Sequence, residues 1–322
     1  MKRKLYIAAV ASLIVIIHGV SAAAKDRCDR LRVDGHRRSY LVHLPKQYDP
    51  ESPTPLVIVL HGGIGTARTA RWDTQMSKQA DRDNFIVAYP NGVLRTWNAG
   101  ECCGPAKRKG VDDIAFLRAL IEKVSSDYKI DRDRIYVTGI SNGGMLAYRA
   151  GYELSDLVAA IAPVAGCMYP CRGECKFPVS VIVFHGAKDH IVPFDGGIGG
   201  MLGYKLKSTS EADSIKFWIQ HDHCKAEPNE VRDGGQIKKE VYSGGDCGTE
   251  VCLYTLKNGG HSWPGGRRAI FIGDKPSTQI SATRLMCYFF WEHPKRRVAS
   301  GEQSCGSQSQ RIPEGSPIPT NP

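Results

Sequence analysis

The fold of this chain follows from one stretch, Arg134-Ile135-Tyr136-Val137-Thr138-Gly139-Ile140-Ser141-Asn142-Gly143-Gly144-Met145-Leu146-Ala147-Tyr148. Its first half is rich in β-branched and aromatic residues and predicts a strand. A glycine, a serine two positions later and two more glycines follow, and a helix-forming segment begins at once. The pattern G-x-S-x-G between a strand and a helix predicts a sharp turn that exposes the hydroxyl of Ser141 beyond a parallel sheet. An ordinary glycine-rich turn gives the same pattern, so a nucleophilic serine also requires a base, an acid and an oxyanion hole elsewhere.

Segments of strand and helix character alternate along the rest of the chain. Residues 55–60 form a continuous apolar run, as expected for a strand buried on both faces of a parallel sheet. Apolar residues in the segment 112–128 recur at helical spacing. The remaining predicted strands are 40–45, 85–89, 159–165, 179–184, 237–242 and 251–256, and the remaining helical segments are 67–82 and 281–291. This alternation predicts an α/β fold, with a mostly parallel central sheet and helices on both of its faces.

The amino terminus has the three parts of a secretory signal peptide, namely basic residues at 2–4, an apolar run at 5–20 and small residues at 21–24. A membrane anchor is the weaker interpretation, because the run is shorter than the ~20 residues that a spanning helix needs. We expect residues 1–24 to be a signal peptide and the protein to be secreted, either extracellular or periplasmic. The folded domain is expected over 25–293, and 294–322, rich in Pro, Ser, Gln and Gly, is expected to be a disordered tail.

Export would place the cysteines where disulfides persist. The chain has eleven cysteines, an odd number, so at least one of them is unpaired. We expect Cys224 to pair with Cys247, and one of Cys102 and Cys103 to pair with the cluster at 167–175. A metal site in that cluster is the weaker alternative, because no second Cys-x-x-Cys pair stands at zinc-ribbon spacing.

The chain carries a formal net charge of +10, which falls to +7 once Lys2, Arg3 and Lys4 are removed with the predicted signal peptide. Such a balance could favour nucleic acid as a partner. However, the basic residues are scattered among acidic ones, which indicates a generally basic surface. We therefore expect no nucleic-acid partner, and no membrane association after cleavage; the oligomeric state stays open.

Two loops downstream of the serine supply an acid and a base in the order that this architecture uses. Asp189 follows the predicted strand 179–184 by a few residues, and His261 follows the strand 251–256. His261 would accept the proton of Ser141 and pass it to the leaving alcohol, while Asp189 would hold the tautomer and stabilise the imidazolium. Three other carboxylates could be the acid instead of Asp189. Asp195 lies deeper in the same loop, and Asp112 and Asp113 lie where a helix is predicted to begin.

An oxyanion hole needs two backbone N–H donors. One should come from Asn142, the residue after the serine, and the other from the loop that follows the strand 55–60. Gly63 is the expected second donor, with Ile64 as the alternative. His61, which opens this loop, is expected to shape it and not to take part in the chemistry.

Five motifs in this order resemble those of the secreted polyhydroxybutyrate (PHB) depolymerase-type esterases, a group that also contains feruloyl esterases acting on plant cell walls. The motifs are His61-Gly62-Gly63, the segment 97–104, the elbow at 139–145, His185-Gly186 with Asp189 and Val192-Pro193, and the segment 260–265. The resemblance covers residues 38–291. It implies an α/β-hydrolase fold, a Ser141, Asp189 and His261 triad, and hydrolysis of carboxylic esters without metal or cofactor.

No linker and C-terminal polymer-binding domain follows the catalytic region, which favours the single-domain feruloyl or acetyl esterases over the polymer-degrading depolymerases. The PHB depolymerase remains the alternative. A peptidase or an acyltransferase could use the same triad, and a non-catalytic binding protein could use the same fold.

The expected substrate is an ester, small or polymer-linked, bound in an open groove. Only 23 residues separate Ala165 from Asp189, which leaves no room for a large helical lid. Trp97 and Trp263 lie in loops that would meet above the sheet, so they are the predicted substrate-binding side chains at its rim. For Trp97, packing in the core is an equal alternative.

Overall fold

The central element is a ten-stranded sheet, and two further strands form a separate hairpin. The computed structural model describes residues 25–201, 203–268 and 273–296. The predicted signal peptide at 1–24 and the tail residues 297–322 lie outside the described residues. The strands are β1 (Lys25–Val33), β2 (His36–Leu44), β3 (Thr54–Leu60), β4 (Ile86–Pro90), β5 (Ile130–Ile140), β6 (Ala160–Val164), β7 (Ser180–Gly186), β8 (Gly197–Met201), β9 (Tyr204–Ser208), β10 (Glu230–Gly234), β11 (Ile237–Tyr242) and β12 (Val251–Leu256).

Seven α-helices connect or flank these strands in the described part of the chain. They are α1 (Ala67–Thr74), α2 (Met76–Asp83), α3 (Gly104–Arg108), α4 (Asp113–Asp127), α5 (Asn142–Glu153), α6 (Glu211–His221) and α7 (Ala282–Glu292). The described helices include none that is long and apolar enough to cross a membrane.

The sheet has a parallel centre and antiparallel ends. Its strand order is β1-β2-β4-β3-β5-β6-β7-β12-β11-β10, and the six strands from β4 to β12 in this order run parallel to one another. In the centre, β3 and β7 are buried along their whole length, which explains their continuous apolar sequences. The prediction of a mostly parallel sheet is confirmed, and the parallel strands bring their carboxyl ends to one edge.

Two hydrophobic cores lie on opposite faces of the sheet. Side chains of α4, α5 and α6 pack in one core, with Leu117, Leu146 and Trp218 among its fully buried members. Side chains of α1, α2 and α7 pack in the other, where the ring of Phe290 stacks on Tyr136 at 4.5 Å between centroids. Helices therefore cover both faces, as the alternating sequence predicts.

Every predicted strand has a counterpart in the structure, and so do the predicted helical segments. The segment 67–82 divides into α1 and α2 at Gln75, whose φ of 56° is left-handed. The sequence analysis missed β1 and β10 at the sheet edges, the small hairpin of β8 and β9, and the helices α3 and α6.

Glycines allow the turn at Ser141 to pass close to the end of β3. A Cβ atom at Gly143 would lie 2.5 Å from the carbonyl oxygen of His61 and 2.6 Å from that of Leu60. A Cβ atom at Gly139 would lie 2.6 Å from the backbone of Gly143. Since the obstructing atoms belong to buried backbone, they cannot rotate away, and only glycine fits.

We expect Gly143→Ala to lower the free energy of unfolding by about 1–3 kcal/mol, the usual cost of overpacking. It should also reduce hydrolytic activity, because the added methyl group displaces the backbone at His61. Gly151→Ala is the matched control on the same helix, since its Cβ atom would first meet side-chain atoms of Ile161, at 2.9 and 3.1 Å, and not backbone. Urea unfolding of both variants checks this; equal losses in the two would contradict the close-approach argument.

Candidate active site

The elbow holds Ser141 in a strained conformation between β5 and α5. Its φ of 58° and ψ of −125° are unfavourable for a residue with a side chain. The N–H of Ser141 donates to the carbonyl of Val164 at 2.9 Å, which ties the turn to the end of β6. This is the strand, turn and helix context that the sequence predicts for an exposed serine hydroxyl.

Asp189 and His261 meet by a direct hydrogen bond. The Nδ1–H of His261 donates to Oδ2 of Asp189 at 2.7 Å, and both side chains are buried. The backbone N–H groups of Ile191 and Val192 donate to the other oxygen, Oδ1, at 2.8 Å each. Burial by itself raises the pKa of the Asp189 carboxyl, but hydrogen bonds from His185 and His261 outweigh it and hold that pKa well below its usual range.

The rival carboxylates are used elsewhere. Asp195 is exposed. Asp112 caps α4 by accepting the N–H of Ala115 at 2.9 Å, as expected of a helix-start carboxylate. Asp113 is buried and accepts a 2.6 Å hydrogen bond from the guanidinium of Arg38.

Asp274 fixes the loop that carries His261. Its Oδ2 accepts the backbone N–H of His261 at 2.7 Å, and its own N–H donates to the carbonyl of His261 at 2.8 Å. The sequence analysis missed this residue. It lies 13 positions away in an irregular loop, and only the folded chain brings it back to the histidine.

The loop after β3 presents one free N–H group where the prediction places the second oxyanion donor. The N–H of Ile64 donates to the carbonyl of Arg95 at 2.8 Å, so the alternative donor is already engaged. The N–H of Gly63 makes no hydrogen bond within the described residues, and a Cβ at Gly63 would meet no atom within 4 Å. Asn142 begins α5, where the first backbone N–H groups have no partner within the helix.

His61 is a structural residue of this loop, as expected from the sequence. Its Nε2 accepts the N–H of Gly92 at 2.9 Å, and its Nδ1 lies 2.7 Å from the carbonyl oxygen of Gly62. Burial lowers the pKa of His61 to about 4, so the ring is neutral and donates from Nδ1. The imidazole holds the turn and faces no substrate.

Trp97 connects the two halves of the predicted oxyanion hole. Its N–H and C=O pair with the side-chain amide of Asn142 at 2.8 and 3.0 Å, and its indole N–H donates to the carbonyl of His61 at 2.8 Å. The ring is fully buried and stacks beside His61 at 4.6 Å. The predicted position at the groove rim is wrong for Trp97, because its polar and apolar surfaces are all used inside the protein.

Trp263 is also a core residue. Only 2% of its surface is exposed, and its indole N–H donates to the hydroxyl of Thr283 on α7 at 2.9 Å. Its predicted rim position is therefore wrong as well. The exposed apolar side chains near the oxyanion loop are Ile64, 46% exposed, and Leu94, 62% exposed, which no sequence pattern distinguished.

The cysteines pair differently from the prediction. Cys102 and Cys103 are bonded to each other and not to the cluster at 167–175, whose three cysteines are free. Cys224 is a free buried thiol facing the carbonyl of Thr249, whereas Cys247 is disulfide-bonded, so the predicted pair between them is wrong. In the described ranges, no cluster of three or more His, Cys, Asp or Glu side chains could hold a metal ion.

The approach to Ser141 is not covered by a helical lid in the described chain. Between β6 and α6 the structure has only β7, the hairpin of β8 and β9, and loops. A cavity of about 240 Å³ lies beside Gly259, in the loop before His261, and is lined by Gln236, Leu256, Asn258 and Lys275, among others. Ser141 does not line it.

Part of this arrangement matches a known protein family. Residues 38–192, which include the oxyanion loop, the elbow and Asp189, match the family described as "Esterase PHB depolymerase". Over these 155 of its 322 residues, the chain is similar to the esterases of this family.

Similar curated proteins include named enzymes. Feruloyl esterase B of Piromyces equi is 30% identical over 240 residues, which cover 71% of this chain and 44% of that protein. The putative esterase NocK of Nocardia uniformis subsp. tsuyamanensis is 28% identical over 256 residues, 73% of each chain. The bifunctional acetylxylan esterase/xylanase XynS20E of Neocallimastix patriciarum is 27% identical and is covered over 32% of its length. The chain thus spans less than half the length of two of these three relatives.

Solved structures share the fold. The acetyl xylan esterase from Aspergillus awamori superposes with a TM-score of 0.56 at 14% identity, covering 73% of this chain and 94% of that one. Native sOPH superposes with a TM-score of 0.55 at 19% identity, covering 86% and 90%. With the sheet order described above, these likenesses confirm the predicted α/β-hydrolase fold.

Asp189→Asn should reduce kcat by about 10⁴-fold, because an amide at this position favours the wrong tautomer of the partner histidine. Asp195→Asn is the control, since the side chain of Asp195 is exposed, and it should retain activity within about twofold of the wild type. Hydrolysis of 4-nitrophenyl acetate by the two purified variants measures both effects. A large loss in the Asp195 variant, with the Asp189 variant unaffected, would reverse the assignment of the acid.

Proposed function

We propose that this protein is a serine hydrolase of carboxylic esters, with Ser141 as nucleophile, His261 as general base and Asp189 as the acid that orients it. The observation that carries the proposal is the buried 2.7 Å hydrogen bond between Asp189 and His261. Ser141, at its strained elbow, follows β5 at the sheet edge where the parallel strands before Asp189 and His261 also end. The hydrogen bond to Asp189 requires Nδ1 of His261 to carry a proton. The lone pair of Nε2 is then available to the serine hydroxyl.

The reaction proceeds in two acyl transfers. Oγ of Ser141 attacks the ester carbonyl carbon while its proton moves to Nε2 of His261, and the resulting imidazolium gives that proton to the departing alkoxide. Water then enters, loses a proton to the same nitrogen and attacks the acyl carbonyl carbon. The bond to Oγ of Ser141 breaks, the imidazolium returns the proton to Oγ, and the carboxylic acid is released. The N–H groups of Gly63 and Asn142 stabilise the negative oxygen in both steps, because neither donor makes a hydrogen bond within the described part of the chain.

We propose soluble or cell-wall-linked esters as the substrates, as in feruloyl and acetyl esterases. The names of the relatives support this choice, since they include a feruloyl esterase and an acetylxylan esterase. The backbone hydrogen bond from Ile64 to Arg95 joins the loop after β3 to the segment that contains Leu94. The exposed side chains of Ile64 and Leu94 offer apolar surface there. We assign to these two side chains the substrate-binding role that the sequence predicts for Trp97 and Trp263.

A PHB depolymerase is the second candidate, and the family match favours it. Both candidates use the same site and differ in the acyl and alcohol groups accepted. We further propose that the enzyme acts outside the cytosol, a proposal that rests on the signal-peptide pattern at residues 1–24.

Methyl ferulate and 4-nitrophenyl acetate should be hydrolysed with a smooth dependence of rate on concentration and no jump at the solubility limit, because no helical lid has to open. Emulsified triolein should be a poor substrate. Acetylated xylan and hydroxybutyrate oligomers, assayed beside them, separate the two candidate functions. Ser141→Ala is the control and should lose about 10⁴-fold or more on every active substrate. Strong activity on triolein alone would place the protein among the lipases and contradict this proposal.

A further inference from the structure

A chain of buried polar groups continues behind Asp189, on the side away from His261. His185 lies near the end of β7, Glu211 is the first residue of α6 and Tyr148 lies on α5. All three side chains are fully or almost fully buried. The proposed mechanism has no step for any of them, and burying such groups is costly unless their charges and hydrogen bonds are matched.

The two nitrogens of His185 face hydrogen-bond acceptors only. Nδ1 lies 2.5 Å from Oε2 of Glu211, whose other oxygen accepts the hydroxyl of Tyr148 at 2.5 Å. Nε2 lies 2.9 Å from the carbonyl oxygen of Val192 and 3.4 Å from Oδ2 of Asp189. A neutral imidazole has only one N–H, so it would leave one nitrogen lone pair directed at an oxygen lone pair. A doubly protonated ring satisfies both sides.

We propose that His185 is a permanently charged positioning residue, an imidazolium held between the carboxylates of Glu211 and Asp189 that keeps Asp189 ionised and aimed at His261. This inference deepens the proposed function and rests on it for its kinetic consequence. Without a positive charge between them, two buried carboxylates would face each other across the ring, and one would take up a proton. A proton on Asp189 would remove the acceptor that fixes the tautomer of His261.

The groups around His185 agree with this charge state. Burial by itself lowers the pKa of His185, but its hydrogen bonds to Asp189 and Glu211 prevail and raise that pKa to about 10. The other titratable neighbours stay neutral, since burial raises the pKa of Tyr148 and of Cys167, which lie beside Glu211. The ring of Phe194 packs edge-on against the imidazole, with 5.5 Å between the ring centroids.

Glu211→Gln tests the kinetic consequence, because glutamine keeps the shape and can still accept from Nδ1 and bond to Tyr148. With one counter-charge lost, His185 should release its proton within the assay range. The ratio of kcat/KM of the variant to that of the wild type should therefore fall about tenfold between pH 6 and pH 9. Glu153→Gln is the control, since Glu153 pairs with Arg149 on α5 and does not face His185. Its ratio should stay flat; a flat ratio for Glu211→Gln as well would show a merely structural role and overturn the proposal.

A spectroscopic measurement on the wild type needs no turnover and does not depend on the folding of a variant. In protein labelled with ¹⁵N-histidine, the ring of His185 should keep both N–H protons at pH 8, and so should that of His221, whose hydrogen bond to Asp222 also raises its pKa to about 10. The His185 signals are identified by through-space contacts to the ring protons of Phe194, and they should move in Tyr148→Phe. A neutral His185 at pH 8 would overturn the proposal. Esterase failure with a doubly protonated His185 would instead count against the proposed function alone.

Discussion

The site depends on keeping one buried carboxylate ionised. Asp189 lies inside the protein, where an unpaired charge would be unstable, yet it must accept a proton-bearing nitrogen of His261 to be useful. Four N–H groups surround it, two from the backbone at Ile191 and Val192 and two from imidazole rings. The turn after β7 is wrapped around the carboxylate, and this explains why that turn is short and irregular.

A second constraint is the contact between the elbow and the loop after β3. The adjacent parallel strands β3 and β5 end at the same edge, so their following turns meet, and the meeting point has room for glycine only. Trp97 links the two turns by hydrogen bonds to both Asn142 and His61. We propose that the backbone N–H groups of Gly63 and Asn142, which follow these two strands, form the oxyanion hole.

Features with a local cause could be predicted from the sequence. The strands of the parallel centre are continuous apolar runs, the elbow has its own glycine pattern, and Asp189 and His261 directly follow strands whose ends share one edge. The edge strands β1 and β10 were missed because charged residues interrupt any alternation. The two tryptophans were misplaced because their indole partners, the carbonyl of His61 and the hydroxyl of Thr283, lie 36 and 20 positions away. Glu211 offered no signal beyond that of an ordinary helix-start carboxylate, and the cysteine pairing depends on distances that spacing does not reveal.

The central claim is that Ser141 is activated as a nucleophile by its surroundings, and covalent labelling tests it most directly. Diethyl 4-nitrophenyl phosphate, incubated with the folded protein, should release one 4-nitrophenol per chain and add one diethylphosphoryl group. Tryptic digestion should place that group on the peptide 135–149, whose single serine is Ser141. A folded protein that stays unlabelled, or one that carries the label on another peptide, would contradict the account.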